Sequence, residues 1–96
     1  MEKILDTYIR RTEEIISSLM PLSKTDTIFA SVRTLIEDMQ NEALSCNDEM
    51  LHPTLYNAAA TIATAPAGCS VRQLSEALTD ARDEMELMKE YFKTNY

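Results

Sequence analysis

Between residues 70 and 93 the apolar side chains recur at alternating steps of three and four. Val71, Leu74, Leu78, Ala81, Met85, Met88 and Phe92 therefore share one face of a helix. Spacing this strict also suits packing against a second helix along a narrow seam. Ser70 stands at the N-cap position, and Gln73 follows three residues on, where it can reach back to the cap N–H and complete a capping box.

The earlier chain reads as packing for this helix. Residues 2–20 carry Ile4, Leu5, Tyr8, Ile9, Thr12, Ile15, Ile16, Leu19 and Met20 as a stripe two residues wide on each turn, which suits a helix touching two neighbours. Glu2 and Asp6 favour its start through the helix dipole, and Pro21 ends it. Residues 21–25 form a short connection, with Ser23 or Thr25 as a cap and Asp26 as a first-turn acid. A connection this short makes the two helices antiparallel neighbours. The spacing predicts a second helix over 26–45, with Ile28, Phe29, Val32, Leu35, Ile36, Met39, Ala43 and Leu44 inward. Its pattern breaks at CNDEMLHP, where Asn47 suits a left-handed C-terminal residue and Asp48 a cap for the next helix. Pro53 then opens a third helix over 53–65, with Leu55, Tyr56, Ala59, Ala60, Ile62 and Ala63 facing inward. Pro66 and Gly68 close it.

No segment alternates at period two for long enough to propose a strand. The expected fold is all-α: one domain over residues 1–96, a small up-and-down bundle of about four helices at 2–20, 26–45, 53–65 and 70–93. The alanine-rich third helix supplies little apolar area, so the bundle is expected to be irregular or to open a groove.

Charge narrows the set of partners. The net charge of −7 is spread along the whole chain, and such a surface repels phosphate backbones and anionic lipid. No stretch is apolar enough to span a bilayer, and the first residues, MEKILDTYIRRTEEII, do not read as a signal peptide. Two cysteines, Cys46 and Cys69, make no disulfide framework and no CxxC motif, so reduced thiols and a cytoplasmic location are expected.

Candidate chemistry is sparse. Adjacent acids such as Glu13/Glu14, Glu37/Asp38 and Asp83/Glu84 point about 100° apart on a helix and read as solvated faces, not as a catalytic pair. His52 has Cys46, Asp48 and Glu49 within six residues, which are ligand types without the paired spacing of a zinc site. A structural role beside Pro53 is the expected reading, and a weak metal or small-ligand site the alternative. The run SVRQLSEAL, residues 70–78, resembles the opening of a helix-turn-helix domain, which implies a transcription-associated regulator. The segment at the recognition-helix position, TDARDEMELM, is dominated by acids and holds one arginine, the wrong chemistry for DNA.

The remaining signal lies off the main seam. With Val71 at heptad position a, Leu87 falls at c and Tyr91 at g, one i,i+4 step apart, with Met88 beside them at d. Glu84 and Asp83 rim this pair, and Lys89, Lys93 and Tyr96 lie nearby. An aliphatic next to an aromatic with a polar tip, edged by charge, is the composition of a contact centre. The expectation is a non-enzymatic protein–protein interaction module of adaptor, inhibitor or chaperone-like type, acting through Leu87, Tyr91, Glu84 and Met88 on a protein partner or a second copy, with a symmetric homodimer as the expected form of the contact. No cofactor or metal is expected. The competing expectation is that a neighbouring helix wraps round and buries both side chains.

Overall fold

The computed structural model describes residues 2–19 and 25–95. The expected stop at Met20 and Pro21, the connection through 21–24 with its alternative cap Ser23, the Glu2 side chain and Tyr96 lie outside the described residues.

Four helices follow one another: α1 (Glu2–Leu19), α2 (Phe29–Ser45), α3 (Leu51–Ala63) and α4 (Val71–Asn95). No strand occurs among the described residues. The molecule measures 42 × 23 × 17 Å. Its long dimension is set by the 25 residues of α4, which span roughly 37 Å at ~1.5 Å per residue.

The helices pack in the order α1, α4, α3, α2, and the α1–α2 seam that closes the ring is much more lightly packed than the other three. Asp6, early in α1, pairs with Lys89, late in α4, while Arg11 pairs with Asp38 late in α2. Helix α1 is thus antiparallel to both neighbours, but its main partner is α4 and not α2.

The core holds the stripes read from the sequence. Leu5, Tyr8, Ile9, Ile15 and Leu19 of α1 meet Leu74, Leu78, Ala81, Met85 and Phe92 of α4, with Val32, Leu35, Met39 and Ala43 of α2 and Leu51, Leu55 and Ile62 of α3. The buried hydroxyls of Thr12 and Thr54 donate to the carbonyls of Tyr8 and Met50, each at 2.7 Å, so they enter the core without an orphaned polar atom.

The helix starts show both agreement and correction. The capping box of α4 is present: Gln73 N donates to Ser70 Oγ, and Ser70 N donates to Gln73 Oε1, each at 3.1 Å. Gly68, at φ +81°, supplies the left-handed residue in the turn before it. Asp48 accepts from the N–H groups of Met50 and Leu51, both at 2.9 Å, and so starts α3 at Leu51, two residues before the expected Pro53. Asn47 is not left-handed, since no residue other than Gly68 has positive φ among the described residues. The second helix begins at Phe29, not at residue 26, and Asp26 lies in the turn before it. Thr25 does not cap α2 with its side chain: its buried hydroxyl donates to Cys69 O at 2.8 Å and ties this turn to the α3–α4 connection.

Inward positions are corrected in two places. Leu44, expected in the α2 stripe, is 76% exposed, because the buried line ends at Ala43. In α3 the buried face is Leu51, Thr54, Leu55, Ala58, Ala59 and Ile62, while Tyr56, Ala60 and Ala63 point outward.

Candidate protein-binding surface

Leu87 and Tyr91 both lie in the open on α4. Leu87 is 72% exposed and Tyr91 45%, so no neighbouring helix wraps round to bury them. They are one helical turn apart on one face, about 5–6 Å between Cβ atoms. The Tyr91 ring sits edge-on to Phe92, with centroids 6.1 Å apart, and Phe92 is fully buried beneath it.

The other two expected members take different positions. Met88 is half-buried and packs against the core, forming the floor between the exposed pair and the bundle. Glu84 is exposed and accepts a hydrogen bond from Thr61 Oγ1 of α3 at 2.9 Å, which holds its carboxylate at the α3 edge of the patch. Asp83 is paired with Arg82 at 3.2 Å. Leu87 shares a shallow depression with Thr61, Asp80, Asp83 and Glu84, so acid lines the approach to the leucine from the N-terminal side.

The cluster around His52 is organised by the backbone. His52 Nδ1 lies 2.6 Å from Ala43 O, in the last turn of α2. A carbonyl can only accept, so Nδ1 carries the proton. The Asp48 carboxylate accepts from the N–H groups of Met50 and Leu51 at the start of α3, and Cys46 Sγ accepts from Asp48 N at 3.4 Å. These side chains fasten the α2–α3 corner. Among the described residues no group of three or more His, Cys, Asp and Glu is placed to hold a metal ion. Both cysteines are free thiols, with Cys69 buried and Cys46 half-buried.

The helix-turn-helix resemblance does not carry into the structure. Residues 71–95 form one uninterrupted helix, so the two runs continue into one another from Val71 on with no turn between them. No helix among the described residues is long and apolar enough to cross a membrane.

Two further surface features escape the sequence. A groove of about 460 Å³ runs along the light α1–α2 seam, between Arg11, Glu14, Ile15 and Ser18 on one side and Ile28, Ala30, Ser31 and Thr34 on the other. Next to the groove, Arg11 stacks over the Tyr8 ring and pairs with Asp38 at 2.9 Å, and the Tyr8 hydroxyl donates to Asp38 O at 3.3 Å. Burial, followed by the nearby Glu42 carboxylate, raises the Tyr8 pKa above 10.0. The second feature is at the α2–α3 corner, where exposed Tyr56 stacks on His52 at 6.2 Å. The small side chains of α2 that leave the groove open are visible as ASVRT, but only the helix pairing shows what they face.

Compared with family models, curated proteins and solved structures, the chain matches none. The surface chemistry alone therefore carries the functional reading.

Proposed function

We propose that this chain is a non-enzymatic protein–protein interaction module, of the adaptor, inhibitor or chaperone-like kind, that engages its partner through the C-terminal half of α4. The observation that carries this reading is the exposure of Leu87 and Tyr91 together, one turn apart, on a helix whose other large apolar residues face the core. Large apolar side chains grouped on an outer face favour a contact with another protein, and charge at the rim favours specificity over aggregation. Met88 supplies the floor and Glu84 the edge. The remaining chemistry supports a binding role, since the one histidine is engaged by a backbone carbonyl.

The test is the double substitution Leu87→Ser/Tyr91→Ser. Both residues are exposed, so helicity by circular dichroism should be unchanged. Partner recovery in a pull-down, or assembly mass by light scattering across a concentration series, should fall. A folded double variant with unchanged recovery and unchanged mass removes the patch from consideration.

A further inference from the structure

If the Leu87–Tyr91 pair is the binding surface proposed above, its rim distinguishes between kinds of protein partner. Asp83 and Glu84 lie one turn before Leu87, and Glu90 lies one turn after it. Asp80 lies one turn before Glu84 on the same face and lines the same depression. All four are exposed or half-exposed. Among the described residues Asp80, Glu84 and Glu90 form no ion pair, and only Asp83 has a cation, its neighbour Arg82.

The other basic residues of α4 are directed elsewhere. Arg72 pairs with Glu76 two turns further toward the N-terminus, and Lys89 pairs with Asp6 on α1. Lys93, one i,i+4 step from Lys89, falls on that same α1-facing side. The exposed leucine and tyrosine therefore sit in a ring of carboxylates in which Arg82 answers only Asp83.

From this ring we infer that the partner is a helical protein segment carrying apolar residues flanked by lysine or arginine, and not a second copy of this chain. A two-fold contact places the same patch on both sides of the interface, so each carboxylate ring would face another. Like charges brought together at an apolar contact are strongly unfavourable, and the net charge of −7 adds repulsion at longer range. A segment with leucine-like side chains one turn apart and a basic rim satisfies both parts of the surface: its apolar pair covers Leu87 and Tyr91, and its cations meet Asp80, Glu84 and Glu90. Recognition of a helix by one apolar stripe with charged edges is an established mode of peptide binding.

The experiment uses the full chain, isotope-labelled, and two synthetic helical peptides on an alanine background. Each carries two leucines one turn apart, rimmed by lysine in one peptide and by glutamate in the other. The lysine peptide should shift backbone amide resonances confined to the C-terminal half of α4 and the facing end of α3, and the glutamate peptide should shift none. Affinity for the lysine peptide should fall roughly tenfold on raising salt from well below to well above physiological strength. Asp80→Asn/Glu84→Gln/Glu90→Gln, which keeps the shape of each side chain, should cause a similar loss. Leu87→Ser/Tyr91→Ser should also abolish the shifts. Equal binding of both peptides, or an unchanged affinity of the neutralised variant alongside loss in Leu87→Ser/Tyr91→Ser, overturns the basic partner and leaves the binding surface standing. Indifference to both sets of substitutions overturns the inference and the binding surface together. Dimerisation of the unmodified chain that tightens as salt rises and is lost in Leu87→Ser/Tyr91→Ser gives the second copy instead.

Discussion

Leu78→Ala and Leu87→Ala make the same chemical change nine residues apart on one helix, and they should differ in cost by several kcal/mol. Leu78 is fully buried in the N-terminal half of α4, with Leu74, Ala81 and Met85 also buried along the same stripe. Truncation removes three carbons, about 2.4 kcal/mol of lost burial at ~0.8 kcal/mol for each. Its neighbour Ala81 has no reach to fill the space. A residual cavity of ~50 Å³ would add about 1.2 kcal/mol at ~24 cal/mol per Å³. The expected loss is therefore about 3–4 kcal/mol, against a total stability of about 5–14 kcal/mol for a chain of this length. The melting temperature should drop by roughly 12–30 °C. Leu87, already in solvent, should change stability by less than about 0.5 kcal/mol. Urea unfolding followed by far-ultraviolet circular dichroism measures both. A Leu78→Ala loss under about 0.5 kcal/mol would show that the α4 stripe is not core, and an equal loss at both positions would refute the assignment of faces.

Other expectations come from single contacts. Leu78→Asp should unfold the domain, because no cation is buried among the described residues to pair with the carboxylate, and a folded variant by circular dichroism would contradict this. Ser70→Ala should cost about 1 kcal/mol in chemical unfolding through loss of the capping box, and no change would mean the cap does not hold α4. Cys46 and Cys69 should both titrate as free thiols on unfolding under alkylating conditions, with Cys46 the faster in native protein; a bridge in monomeric protein would be the contrary result. Tyr8 should ionise above the ordinary tyrosine value of 10.0 in an ultraviolet pH titration, and Tyr8→Phe should remove that late component. With its folded pKa raised, Tyr8 contributes stability that is complete below 10.0 and is lost as pH rises through the folded value.

The parts of the fold legible in the sequence are those where apolar and charged residues contrast sharply. Helix α4 alternates a clean stripe with charged neighbours, so its face, its capping box and the off-seam position of Leu87 and Tyr91 can all be read from spacing. In α3, alanines stand at 58, 59, 60 and 63, and a run of one small residue does not mark which side is inward. Tyr56 reads as inward because it is apolar, and it is exposed because Thr54 and Ala58 fill the core instead. Thr25 before Asp26 reads as a local cap, but its partner is Cys69, a residue 44 positions away that no local pattern could supply. The exposed position of Leu87 is legible for a related reason: a leucine within acids violates the surface pattern, whereas the α1–α2 groove depends on which helices pair.

That pairing also governs the order in which the chain can complete itself during synthesis. The apolar stripe of α1 is covered chiefly by α4, and Lys89, which meets Asp6, is made more than eighty residues later. At ~5–20 residues per second, a nascent α1 waits roughly 4–17 s for the segment that shields it. Helices α2, α3 and α4 follow one another and pack in sequence order, so they can associate as they emerge. The surface that covers most of the α1 stripe is complete only once α4 has been made, so Leu5, Tyr8, Ile9 and Leu19 lack their main partners in the interval.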